Sequence, residues 1–255
     1  MVQEVKAWEQ TQAHERTSDK YTFIPTTDVI TSLEKHDWKP VSAKQQRSTK
    51  YKGFQPHVIR FRHPEISNRE VMKTGDSCLE LIFANSHCAV SSAQFHAGVF
   101  RMVCSNGMVV CDSLMAKLSV RHIGVVADEV IGAIENYVKD MPKVIEAMDA
   151  YRTRILEPNE RLDFARIALQ MRWGDEAPVT AERVLTPRRT ADTGTDLWTT
   201  FNTVQENLIK GGIGYRKLVD ANRTKRMSTR KIGSPGVQLK LNKNLWELAE
   251  YYRSN

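Results

Sequence analysis

Apolar and polar residues alternate with one period early in the chain and with another later on. HVIRFRH at 57–63 sets apolar positions against cationic ones with period two, as a half-exposed strand does. CLELIFAN at 78–85 is the next strand, followed by a turn at Asn85-Ser86-His87. Tyr21 to Ile24 and residues 40–47 are expected as further short strands. Between them Val29, Ile30 and Leu33 predict a helix that starts at Asp28, with Thr26 or Thr27 as its cap, and ends near His36. AQFHAGVFRMVCSNGMVVCD reads as a hairpin turning at Asn106-Gly107, a pair that suits a two-residue type I′ turn. That turn would face Ser105 with Met108 and Cys104 with Val109.

After residue 120 the spacing becomes helical. Apolar residues at 126, 130, 134, 137, 141, 145 and 148 predict a long helix, kinked or divided at Pro142. A helix capped by Asn159 follows Pro158 and stops before Gly174. DLWTTFNTVQENLIK predicts a strong helix with Leu197, Phe201, Val204 and Leu208 on one face, stopped by Gly211-Gly212. Residues 213–236 hold Gly, Ser, Pro and many cations with few apolar anchors, which predicts a mobile loop or arm. VQLKL reads as an edge strand, and NKNLWELAEYY as a closing helix with Leu245, Leu248 and Tyr252 inward.

The expected fold is α+β: an antiparallel sheet with a short preceding helix, followed by a helical half. No βαβ rhythm supports a dinucleotide-binding fold. The division is a frayed or wrapping arm at 1–20, a core at 21–120, and a helical lobe at 121–255 with a basic mobile arm at 211–236.

Composition changes this picture little until charge is located. The 255 residues are 41% hydrophobic and 26% charged, enough for a sizeable core and against wholesale disorder. No apolar run reaches the roughly 18 residues that span a bilayer. The first twenty residues have no signal-peptide pattern, so a cytoplasmic protein with reduced thiols is expected. The net charge of +7 conceals segregation. Lys35 to Arg62 carries +7 and Asn207 to Lys243 carries +9, which leaves −9 for the rest. Two cationic stretches on an otherwise acidic chain point to a polyphosphate partner, because each neutralised phosphate releases counterions.

Catalytic chemistry finds no comparable support. Cys78, His87, Cys88, His96, Cys104, Cys111 and His122 crowd one region without a metal-ligand spacing, so no metal is expected. There is no G-x-S-x-G and no phosphate-cradling glycine loop, and Gly211-Gly212-Ile213-Gly214 ends a helix where such a loop would open one. No cofactor is expected.

Tyr51, Phe54, Phe61 and Tyr215 lie among cations, the mixture that suits single strands, where bases stack while phosphates pair. Phe61 reads as core, and so do Trp38 and Trp198 at element ends. Arg188-Arg189 is either a phosphate clamp or a salt bridge to its own helix.

N-S-H at 85–87, G-V-F-R-M-V-C-S-N-G-M at 98–108, L-T-P-R-R at 185–189, D-L-W-T-T at 196–200 and V-Q-E-N-L-I-K-G-G at 204–212 closely resemble the phage/plasmid-like family known as domain of unknown function 932. N-K-N-L-W-E-L-A-E at 242–250 extends the resemblance to the last helix. It implies a mobile-element context and no established activity. Many relatives follow N-S-H with Asp-Gly, whereas Cys88-Ala89 stand here, which removes an acid after the histidine. Residues 20–105 also look like the core of single-strand-annealing recombination proteins in element order. That resemblance implies a ring with a basic groove for single-stranded DNA.

The expected function is therefore a non-enzymatic protein of a phage, prophage or plasmid that binds single-stranded DNA and promotes annealing. Its nucleic-acid contacts would be Lys44, Arg47, Lys50, Tyr51, Lys52, Arg60 and Arg62 from the sheet side. Arg188, Arg189, Lys210, Tyr215, Arg216, Lys217, Arg223, Lys225, Arg226, Arg230 and Lys231 would come from the helical side. The expected partners are single-stranded nucleic acid and further copies of the chain, with a ring as one form, and no membrane. Two other readings are an anti-defence protein that binds a host immune complex and an uncharacterised enzyme.

Overall fold

A computed structural model describes residues 5–47, 50–64, 77–101, 107–109, 118–120, 143–144, 146–220 and 223–255. The chain divides into two compact units, Met1–Ile145 with Gly233–Gly236, and Glu146–Ile232 with Val237–Asn255. The fold is α+β, with the strands of the main sheet in the first unit and a helical C-terminal half.

In the first unit α1 (Thr26–Lys35) precedes β1 (Lys39–Gln45), β2 (His57–Arg62), β3 (Ser77–Asn85), β4 (Ala93–Arg101), β5 (Gly107–Val109) and β6 (Leu118–Val120). β1 to β5 form an antiparallel meander in sequence order, and β6 also pairs with β4. The period-two pattern of β2 is realised: His57, Ile59 and Phe61 are buried and alternate with half-buried Val58, Arg60 and Arg62. Across the β2–β3 ladder the buried residues face Asn85, Phe83 and Leu81. The Phe83 and Phe95 rings stack at 4.7 Å, and burial of each large apolar side chain contributes about 1.5–3 kcal/mol. Trp38 and Phe61 are buried, as their spacing predicted.

Several expectations are corrected here. Residues 21–25 form no strand, although Tyr21 bonds the Ser86 carbonyl at 2.8 Å. Pro25 occupies the N-cap of α1, and the Thr26 hydroxyl is used in a buried network instead. β5 pairs Met108 with Val99 and Val109 with Gly98, in place of the predicted Ser105 and Cys104, and Asn106 of the predicted turn lies outside the described residues. Cys104, Cys111, His122 and the helix predicted from 126 as far as Pro142 lie outside the described residues. The N-terminal arm wraps: Ala7 is buried, its N–H donates to Gln45 Oε1 at 3.2 Å, and His14 N–H donates to the His87 carbonyl at 2.8 Å.

The second unit holds α2 (residues 146–153), α3 (Pro158–Trp173), α4 (Ala181–Val184), α5 (Leu197–Lys210), β7 (Gly214–Asp220), β8 (Arg223–Ser228) and, from Val237 on, α6 (Pro235–Ser254). Pro158 takes the first position of α3 and the Glu160 carboxylate accepts from Glu157 N–H at 2.8 Å, so Asn159 lies inside the helix and does not cap it. α5 matches its predicted span, capped by Asp196, which accepts from Thr199 N–H at 2.8 Å. Every residue of α5 from Leu197 to Ile209 is buried except Thr199, so it is a central helix covered nearly all round and not one with a single wet face. Tyr151, Phe164 and Trp246 are wholly buried, and Phe164 and Trp246 meet Phe201 of α5 at 6.4 and 6.0 Å. The predicted edge strand VQLKL belongs to α6, which starts seven residues before the predicted closing helix.

A cationic hairpin and its root

The stretch 213–236, expected to be a mobile arm, contains an antiparallel hairpin of β7 and β8. Its register sets Tyr215 opposite Met227, Arg216 opposite Arg226, Lys217 opposite Lys225 and Leu218 opposite Thr224. Sequence reading missed it because few apolar residues mark the strands, yet TKRMST and GYRKLV do carry the β-branched and aromatic residues that favour pairing. Arg216, Lys217, Arg223, Lys225 and Arg226 are exposed. Two like-charged pairs therefore stand directly across the ladder, an arrangement that destabilises a sheet in water. Among the described residues none of these four opposed cations is ion-paired. An anion laid against them would relieve the repulsion. Tyr215 is half-buried, with its hydroxyl near Met227 Sδ.

The root of the hairpin is fixed by residues whose type the geometry dictates. Gly211 has φ +62°, and a Cβ there would lie 2.6 Å from the Thr229 carbonyl oxygen and from the Arg230 carbonyl carbon. Only glycine allows that approach. Gly212 N–H donates to the Thr229 carbonyl at 2.8 Å, and Ile232 N–H donates to the Ile209 carbonyl at 2.9 Å. The exit from β8 is thus stitched to the end of α5.

Segment 185–189 braces the same place. Asn207 Nδ2 donates to the Val184 and Thr186 carbonyls at 2.8 and 2.9 Å, while its Oδ1 accepts from Arg188 Nε at 2.7 Å. Arg188 also donates to the Gly211 carbonyl. Arg189 bonds Asp192 at 2.9 Å and both oxygens of Glu206, and Lys210 bonds Glu206 at 2.5 Å. The Glu206 side chain is 3% exposed, so its charge is matched by these two cations in a dry setting. Arg188 thus holds the Asn207 amide and the Gly211 carbonyl, whereas Arg189 makes salt bridges to Asp192 and to Glu206 of α5. Lys210 is engaged in the same way. Arg230 and Lys231 remain exposed just beyond the hairpin, with the Arg230 carbonyl bound by Arg172.

In the first unit the predicted residues separate into two sets. Lys44, Arg47, Lys50 and Lys52 are exposed on β1 and the loop after it. Arg60 and Arg62 instead flank the buried Glu80 carboxylate, at 3.4 and 2.6 Å. Burial pushes the Glu80 carboxyl up, and the two guanidiniums oppose that shift. Tyr51 is enclosed by its own chain: Arg16 and Lys50 lie over the ring at 4.9 and 5.3 Å, and His14 meets its edge at 5.5 Å. Phe54 also touches His14, at 5.1 Å.

A network that sequence reading did not assemble lies behind the N-S-H motif. Thr26 Oγ1 stands 2.8 Å from His57 Nε2, 3.1 Å from His87 Nε2 and 3.2 Å from Asn85 Nδ2. His57 Nδ1 lies 3.0 Å from the Gln55 carbonyl, which can only accept, so that nitrogen carries the proton. His57 Nε2 therefore accepts from the Thr26 hydroxyl, and His87 donates to the same oxygen. Burial pushes His57 down to about 4. Ser86 closes its own turn, donating to the Ser91 carbonyl at 2.8 Å. The motif was visible, but the pairing of its histidine with residues 26 and 57 depends on sheet register. Cys78 and Cys88 are free, buried thiols, and no group of three metal-binding side chains occurs among the described residues.

No helix among the described residues is long and apolar enough to cross a membrane. A family model described as "Domain of unknown function (DUF932)" matches residues 13–246, which takes in the sheet, the brace and the hairpin. The chain is 37% identical over 240 residues to "UPF0380 protein YfjQ" of Escherichia coli K12, covering 93% of this chain and 84% of that protein. "UPF0380 protein YafZ" of the same organism matches with the same identity and coverage. No solved structure matches the chain.

Proposed function

The chain belongs to the family described as domain of unknown function DUF932, and we propose that this member binds single-stranded DNA of a phage, prophage or plasmid and promotes its annealing. The observation that supports this reading is the β7–β8 hairpin, where Arg216 faces Arg226 and Lys217 faces Lys225. Cations that repel one another in the free protein bind a polyphosphate with an added gain, because the phosphates screen them from each other. Contacts of this kind are to the backbone and carry little sequence preference, as annealing of arbitrary strands requires.

The proposal distributes the work between two stretches. Arg216, Lys217, Arg223, Lys225, Arg226, Arg230 and Lys231 provide the exposed charge of the helical unit, and Lys44, Arg47, Lys50 and Lys52 that of the sheet unit. Arg188, Arg189 and Lys210 hold the hairpin root, and Arg60 and Arg62 hold Glu80. Neutralising two strands together lowers their mutual repulsion, which is what pairing in dilute solution needs. The reaction makes and breaks no covalent bond, so the protein acts without a catalytic residue or cofactor. We place it in the bacterial cytoplasm as a homo-oligomer.

The test is the rate at which two complementary labelled oligonucleotides pair with and without the protein at low salt. The proposal expects a marked acceleration that fades as salt rises. An unchanged rate at saturating protein would end the annealing reading.

A further inference from the structure

The hairpin carries its charge on both faces. Successive side chains of a strand point to opposite sides, so Arg216, Leu218, Thr224 and Arg226 share one face while Tyr215, Lys217, Lys225 and Met227 share the other. Each face bears one opposed cationic pair, and all four of those cations are exposed. A ribbon that lay flat along one strand of nucleic acid would use the cations of one face and hold the other pair against water. Leu218, 64% exposed, adds an apolar contact near the end of the ribbon where Asp220 pairs with Arg223.

Resting on the DNA-binding reading above, we infer that the β7–β8 ribbon seats in the groove of the annealed duplex, with phosphates along each of its faces. A two-stranded ribbon with side chains on both sides is about 10 Å thick, and the major groove is about 12 Å wide. The groove therefore admits the ribbon and presents one phosphate backbone to the Arg216/Arg226 pair and the other to the Lys217/Lys225 pair. The brace at Gly211, Asn207 and Arg188 gives the ribbon a fixed root from which to enter. This makes the protein a holder of the product as well as a gatherer of strands.

The experiment uses the full chain, a fluorescein-labelled 20-mer, and the same 20-mer annealed to its complement. Binding is followed by anisotropy across a salt series for the natural protein and for R216Q/R226Q and K217Q/K225Q. Each double change removes an opposed like-charge pair, so the hairpin is retained, which circular dichroism verifies. The inference expects both variants to lose duplex affinity by about tenfold or more, and each to reduce the salt slope by about 2. Loss with one pair and none with the other would overturn it in favour of a single strand on one face. Binding to the 20-mer without binding to the duplex would overturn it too, while leaving the DNA-binding reading standing. If neither form binds, both readings fall together.

Discussion

Arg216 and Arg226 stand directly opposite each other on neighbouring strands, both exposed and neither ion-paired among the described residues. A pair of like charges in that position opposes the hairpin that contains it. Changing Arg226 to Glu turns the repulsion into attraction. The hairpin should become more stable by about 0.5 kcal/mol, seen as slower amide exchange in β7 and β8, while affinity for DNA falls. A gain in stability together with a loss of binding separates a functional charge from a structural one.

Glu206 predicts the reverse behaviour. Its buried carboxylate is matched by Arg189 and Lys210, so Glu206→Ala leaves two cations facing an emptied, poorly hydrated site. Urea unfolding should show a loss of about 3 kcal/mol. Arg189→Gln should likewise destabilise the fold, where a pure phosphate contact would change affinity alone.

Gly211→Ala combines a left-handed backbone conformation with a contact of 2.6 Å to main-chain atoms of Thr229 and Arg230. We expect a cost of about 1–3 kcal/mol and faster exchange of the Thr229 and Ile232 amides, because the stitch between α5 and the hairpin must shift. Gly212→Ala meets no atom within 4 Å and strains only its φ of +80°, so it should cost less.

The Thr26–His57–His87 network makes stability pH-dependent. His57 is held neutral by burial, down to about 4 from an ordinary 6.5. Its unfolded form therefore binds more protons between those values, and stability falls as pH drops from about 6.5 to 4, by roughly 3 kcal/mol in all. Above 6.5 and below 4 this contribution is flat. Thermal melts of the natural chain and of His57→Gln should differ in slope across that window, and equal slopes would remove His57 as the cause.

Much of this was legible in the sequence, and the parts that were not share a cause. β2, β3 and α5 announced themselves through long periodic runs, and Gly211 through its place after one. The hairpin was hidden because Arg216, Lys217, Lys225 and Arg226 sit where a stable sheet would rather have apolar or opposed charges. A sequence that defies the local rule is read as loop. The fates of Arg60, Arg62, Arg188, Arg189 and Lys210 were illegible for another reason. A cation's partner is set by tertiary neighbours such as Glu80, Glu206 and Asn207, and counting charge along the chain cannot show which guanidinium its own fold engages. In the proposed function the interface consists of the exposed cations of the hairpin, of β1 and of the loop after β1.

The most direct measurement is the affinity of the full chain for a single-stranded 30-mer as salt is raised from about 50 to 200 mM. With several phosphates neutralised, the account predicts a loss of affinity of about a hundredfold or more, linear in log–log form and shallower for R216Q/R226Q. Binding that is absent, or that stays constant across the series, would contradict it.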